Sequence, residues 1–243
     1  MGWKMFLHSV RMVLDNLGVA LRLSLLLYLV QVVFTVFLFT SPGGGDPMQQ
    51  TPAGAGEMFL LSLFAVVSSL WIAVGWHRFV LTGETPPGFV PRWHGSEMLS
   101  YFGRSLLIGL LLIAIASVIG GLALGLAAQV PALTGMVVFG LVGLCSYVFF
   151  RLGLVLPAAA LGQSLKLRES WDATKRDTTA LVQLAVIVMG GRLLIEIPGM
   201  IDGTTGGVVS LVYNVVLNWF VTMIGVSLLT TLYGYFVEGR RID

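Results

Sequence analysis

The sequence predicts an all-α membrane protein: six transmembrane helices with interfacial amphipathic helices, and both termini in the cytoplasm. Three observations lead there. First, 56% of the 243 residues are hydrophobic and only 11% are charged, where a soluble domain carries about 25% charged residues. Second, six apolar runs, roughly 18–40, 58–80, 104–127, 135–160, 179–200 and 207–236, each reach the ~20 residues that a helix needs to cross a bilayer. Third, eleven of the fourteen Lys and Arg cluster at the termini and in alternate connections. The mean hydropathy of +0.91 is spread over the whole chain, so a single domain, 1–243, is expected.

Residues 3–16 read WKMFLHSVRMVLDN. Trp3, Phe6, Leu7, Val10, Val13 and Leu14 recur at helical spacing opposite Lys4, Arg11 and Asp15. This predicts an interfacial amphipathic helix leading into the first span. The first apolar run is longer than the roughly 7–15 residues of a signal-peptide core, so it reads as a retained span. Residues 41–57, rich in Gly and Pro, predict an irregular loop. Span two ends in WIAVGWHRFV, where Trp71 and Trp76 suit an aromatic belt and His77-Arg78 marks the water boundary. A Pro-rich connection, 81–99, turns the chain back. Ser117, Gly121 and Gly125 of span three repeat every four residues, a spacing that lets a neighbouring backbone come close. The short stretch 128–134 predicts an antiparallel hairpin of spans three and four. The segment 164–177 keeps Leu167 and Trp171 on one stripe and offers Arg168–Asp172 and Asp172–Arg176 pairs at i,i+4. It predicts a cytoplasmic amphipathic segment, with Lys166, Trp171, Lys175 and Arg176 as candidate contacts to lipid headgroups.

Orientation follows from counting. The connections 41–57, 128–134 and 201–206 hold no Lys or Arg, whereas the N-terminal segment, the stretches near 78–104 and 161–177, and the C-terminus hold eleven of the fourteen. The positive-inside rule then places both termini in the cytoplasm. An even number of spans requires the termini to share a side.

Polar residues inside spans are the candidates for function, because charge in the membrane costs a few kcal/mol. Arg151 stands about nine residues inside span four, roughly 13 Å deep in a continuous helix. It could anchor an anionic headgroup or a carboxylate. It could also bond the carbonyl of Gly153, which Pro157 cannot serve. Arg192 and Glu196 of span five are four apart and can pair, flanked by Gly190-Gly191 and Pro198. Ser210, Asn214, Asn218 and Thr222 form a polar stripe on span six, expected to face Arg192 and Glu196 either as interhelical glue or as the lining of a cavity.

The sequence contains no H-E-x-x-H, P-loop or G-x-S-x-G motif, and its one cysteine, Cys145, cannot form a disulfide within the chain. No catalytic residue, metal ligand or cofactor is assigned. The basic residues make no nucleic-acid footprint, so the expected partners are membrane lipids and a larger membrane complex.

The frame RLGLVLPAAALG…ESWDAT, with Arg151, Pro157, Ser170, Trp171 and Thr174, resembles a group of bacterial six-helix membrane proteins. The group includes the YciC-like proteins and the membrane domain that accompanies some glycerophosphodiester phosphodiesterases. That group often carries an acidic residue after the Pro segment, where this chain reads Ala160-Leu161-Gly162-Gln163, and no phosphodiesterase domain is present. The resemblance implies a bacterial inner-membrane protein of envelope or lipid context. The expected function is that of a non-enzymatic scaffold or accessory subunit. A small transporter or channel built around Arg192 and Glu196 is the alternative.

Overall fold

A computed structural model describes the backbone of residues 1–40, 52–127, 130, 132–202 and 208–242, and the side chains of 1–37, 56–125, 130, 133–191 and 212–242. The described chain is helical throughout: α1 (Gly2–Asp15), α2 (Leu17–Thr40), α3 (Pro52–Thr82), α4 (Gly95–Ile115), α5 (Gly121–Ala127), α6 (Ala132–Leu152), α7 (Val155–Ala160), α8 (Leu167–Thr174), α9 (Thr178–Asp202) and α10 (Val208–Phe236). A π-helical turn (Ala116–Gly120) joins α4 to α5, and a 3₁₀ turn (Lys175–Asp177) joins α8 to α9. Among the described residues five stretches are long and apolar enough to cross a membrane: Leu17–Phe37, Gly56–Thr82, Gly95–Gly125, Leu133–Leu152 and Val212–Phe236. The other expected span, 179–200, is helical in backbone as α9, but its side chains from Arg192 onward lie outside the described residues.

The helix α1 has three faces rather than two. Gly2, Met5, Ser9 and Val13 are buried against α9 and α10. Trp3 (56% exposed) and Leu14 (52%) lie on a second, apolar face that the protein does not cover. Lys4, Arg11 and Asp15 project on a third. Of the apolar stripe expected from the sequence, Val13 alone is buried; Phe6, Leu7 and Val10 are half-buried, and Trp3 and Leu14 are exposed. Periodicity reports apolarity and cannot separate a protein neighbour from an acyl chain. Gly2 permits the close approach, because a Cβ there would come within 2.5 Å of the Ala180 carbonyl.

Span four is not one helix. It breaks at Gly153-Leu154, between α6 and α7, three residues before Pro157. The cause is steric as well as conformational. A Cβ at Gly153 would meet Leu229 Cδ2 and the Phe149 carbonyl oxygen, each at 2.8 Å. Glycine thus lets α10 press into the joint. The Gly153 carbonyl, which Pro157 cannot serve, accepts from the Leu156 N–H at 3.0 Å. The break drives α7 into the middle of the molecule: all six of its residues are buried, packed on α4, α3 and α10. They form the centre of the larger hydrophobic cluster, with Leu181, Leu184, Leu228, Leu232 and Tyr233 around them.

The α4–α5 rod and α6 form the expected hairpin. Its contact is made by Gly120 at the π turn, whose Cβ position lies 2.7 Å from Leu141 Cδ2. The spaced residues Gly121 and Gly125 face away, with open space where a Cβ would stand. The extra residue of the π turn rotates the following stretch, so the small face the sequence offers is presented outward. Helix α3 also starts earlier than expected, at Pro52, a residue suited to the first helical position. Residues 41–51 lie outside the described residues.

Filling the joint tests this account. Gly153→Ala overpacks α6 against α10 and is expected to destabilise the fold by about 1–3 kcal/mol, whereas Gly121→Ala is expected to be neutral. Thermal unfolding in detergent, followed by tryptophan fluorescence, checks both. Equal melting temperatures for the two variants would overturn the steric role of Gly153.

Candidate functional site

Helices that end at one face of the bundle leave their last carbonyls without partners. Buried without a partner, each such group costs about 1–3 kcal/mol. Here arginines supply most of the missing donors. Arg240 Nη2 donates to the Leu81 carbonyl at the end of α3 (3.0 Å). Arg176 Nη2 donates to the Tyr235 carbonyl at the end of α10 (2.8 Å), and its guanidinium lies over the rings of Tyr235 and Phe236. The broken α6–α7 segment takes three donors. Ser170 Oγ serves the Arg151 carbonyl (2.7 Å), Arg104 Nη1 the Val155 carbonyl (2.8 Å) and Arg78 Nη1 the Ala160 carbonyl (3.2 Å). These bonds place the ends of α3, α7 and α10 and the starts of α4 and α9 on one side, which we call the basic face.

Arg151 lies at the core of this face. The break at Gly153 makes it a last-turn residue of α6, where the helix dipole favours a cation, rather than a residue in mid-helix. It is 4% exposed. Nε and Nη2 donate to Tyr147 Oη (2.9 and 2.6 Å), Nη2 also to Thr178 Oγ1 (2.7 Å), and Nη1 to Thr174 Oγ1 (3.3 Å). Its Cζ stands 5.1 Å from the ring centroids of both Tyr147 and Trp171. Among the described residues no carboxylate pairs with it. The charge is held by hydroxyl oxygens, two ring faces and the end of a helix. The residues that carry the sequence resemblance, Arg151, Ser170, Trp171 and Thr174, therefore meet in one cage that pins α8 over the end of α6.

A second cluster sits in the connection after α3. Glu84 accepts from Arg78 Nε (2.7 Å) and lies 2.9 Å from His94 Nε2. Burial pushes the Glu84 carboxyl up, but hydrogen bonds from His94 and Arg78 outweigh it and hold the group below the usual carboxylate value. His77, expected at the water boundary, is instead fully buried. It is 2.8 Å from Thr230 Oγ1 and 3.4 Å from Tyr101 Oη. Trp76 is likewise in the core rather than in a belt, while Trp71 donates to the carbonyls of Pro91 and Arg92.

The remaining expected site residues are scattered. Lys166 opens α8, its N–H donating to Glu169 (2.8 Å), and Lys175 pairs with Asp172 (2.7 Å). Both are exposed. Trp171 is turned onto Arg151 and Arg176 onto α10, where a pair with Asp172 was expected. Asn214 and Asn218 are exposed on α10, with Asn218 Nδ2 donating to the Asn214 carbonyl (2.9 Å). The side chains of Arg192 and Glu196, the other half of that expected site, lie outside the described residues. Sequence reading passed over Arg78 and Arg104 as topology markers. Their nearness to span ends was the available signal, but nothing in it names the carbonyls they serve.

Fold and site together define a helical protein with five membrane-length apolar helices among the described residues, knit at one face by arginines. No protein-family model matches the chain, and no curated protein or solved structure matches it at a significant level.

Two outcomes are expected. Arg151→Lys keeps the charge but cannot reach three hydroxyls while lying against two rings. It should cost about 2–3 kcal/mol, read as a lowered melting temperature; a wild-type value would refute the cage. The depressed Glu84 carboxyl contributes stability above the ordinary carboxylate pKa, and this is lost as pH falls through its lower folded value. The melting temperature should drop over that acid range, and Glu84→Gln should flatten the drop.

Proposed function

We propose that this chain is a non-enzymatic, six-span protein of the bacterial inner membrane that serves as a scaffold or accessory subunit. In this reading α9 is the sixth crossing, the basic face is cytoplasmic, and both termini lie there. Its support is the alternation of helix ends at the basic face together with the gathering of Lys and Arg on that side. The resemblance to the YciC-like group agrees with an envelope context.

One observation carries the accessory role: the interior is committed to holding helices together, while the flank of α4–α5 and α6 is left uncovered. In the most apolar stretch of each of these two spans 11% is buried, against 44% for the span in α10. Ser117, Gly121 and Gly125 lie exposed on that flank. A partner helix can approach closely over such residues.

Orientation is tested in a Cys145→Ser background with single cysteines. Ser164→Cys should react with an impermeant maleimide only in inside-out vesicles, and Val130→Cys only in right-side-out ones; the reverse pattern overturns the topology. The accessory role predicts a stoichiometric partner in native-membrane purification, reduced at least fivefold by Gly121→Phe at an unchanged melting temperature. A chain that purifies alone before and after the substitution overturns it.

A further inference from the structure

We propose that the cleft between the first turns of α4 and the 161–166 connection binds a phosphoethanolamine group, such as the headgroup of a membrane lipid. The inference rests on the reading of the chain as a membrane protein whose basic face meets the lipid headgroups.

The cleft has a volume of about 310 Å³ and is lined by Ser96, Glu97, Ser100, Arg104, Gln163 and Ser164, floored by Ala159 and Gly162. That volume suits a small ligand. Its chemistry differs from that of the larger groove between α2, α3 and α4, about 560 Å³. There the hydroxyls are already satisfied: Thr35, Ser62 and Ser105 bond their own helices, and Ser69 accepts from Gln31. In the cleft, the Ser100 and Ser164 hydroxyls have no hydrogen-bond partner among the described residues.

The charges decide the ligand. Arg104 gives one N–H to the Val155 carbonyl and one to the Gln163 carbonyl at 3.1 Å. A guanidinium has five donors, so three remain, and no carboxylate among the described residues pairs with it. Glu97 accepts from Ser96 Oγ (2.7 Å), and its other oxygen faces Gly162, 3.8 Å from where a Cβ would stand. Glu97 also has no ion pair among the described residues. The two residues are seven apart on α4, about 10 Å along the axis, and do not neutralise one another. A plain anion would gain from Arg104 and be opposed by Glu97; a plain amine would meet the reverse. A zwitterion with phosphate at one end and ammonium at the other satisfies both, with Ser100 and Ser164 donating to phosphate oxygens. Choline is disfavoured because its quaternary nitrogen cannot donate hydrogen bonds and is recognised by aromatic faces, and no aromatic residue lines the cleft.

The test is lipid binding to the full chain, measured by native mass spectrometry from detergent. The probes are dioleoyl phosphatidylethanolamine, phosphatidylglycerol and phosphatidylcholine, with soluble O-phosphoethanolamine as competitor. Phosphatidylethanolamine should be retained at least tenfold over the other two. Glu97→Gln should abolish that preference and favour phosphatidylglycerol, because the cleft then carries net positive charge. Ser100→Leu should lower phosphatidylethanolamine retention at least fivefold. A structural role for Glu97 would shift stability without changing lipid ranking. Displacement by O-phosphoethanolamine identifies the free headgroup as a sufficient ligand, and its failure beside tight lipid binding identifies the lipid; both uphold the assignment. Equal retention of the three lipids, or a ranking unmoved by Glu97→Gln, overturns it. Maleimide labelling reads membrane orientation separately, so the two failures are distinguishable.

Discussion

The break at Gly153 sets the terms for the rest of the molecule. An uninterrupted helix from Ala132 to Ala160 would satisfy its own carbonyls except that of Gly153, which Pro157 cannot serve, and those of its last turn. Stopping α6 at Leu152 and turning α7 into the core brings the Arg151, Val155 and Ala160 carbonyls within reach of side chains from neighbouring elements. Three neighbouring elements each bring a donor: Ser170 from α8, Arg104 from α4 and Arg78 from α3. The same solution recurs at the ends of α3 and α10, with Arg240 and Arg176. A guanidinium suits the task because its donors spread in a plane and can serve two carbonyls at once, as Arg104 does for Val155 and Gln163.

This requirement also explains where the packing is dense. The core clusters gather around α7, α1, the ends of α3 and α10 and the start of α9 near the basic face. Away from them α4–α5 and α6 keep much of their surface exposed, with α6 packed on α9 as well as on the α4–α5 rod. A buried polar row reinforces the dense end: Ser9 to Thr231 at 2.9 Å, and Thr230 to His77 at 2.8 Å, tie α1 and α3 to α10. Such bonds are each worth about 0.6–2 kcal/mol in a membrane. They select one arrangement of helices more than they add stability.

The arginines differ in what they leave over. Arg151 is enclosed and nearly saturated by hydroxyls and rings, so its charge is internal. Arg104 uses part of its donor set on the backbone and presents the rest to an open, polar cleft. Depth in the sequence favoured Arg151 as the residue to watch. Accessibility and unspent donors favour Arg104.

The sequence by itself determined the helical class, the apolar stretches and the confinement of positive charge to one set of connections, because each follows from local composition and the length a bilayer imposes. It also marked the α6–α8 joint, through Arg151, Pro157, Ser170, Trp171 and Thr174. It did not decide which face of α1 meets protein, that His77 and Trp76 are buried, or that Gly121 faces outward while Gly120 packs. Nor did it decide which carbonyl each arginine serves. Those depend on how helices distant in the chain are rotated against one another. In lipid-soluble helices nearly every face is apolar, so hydrophobic periodicity carries little information about rotation. Only the packed tertiary structure, where a glycine at 153 admits Leu229 and a broken helix demands donors, decides it.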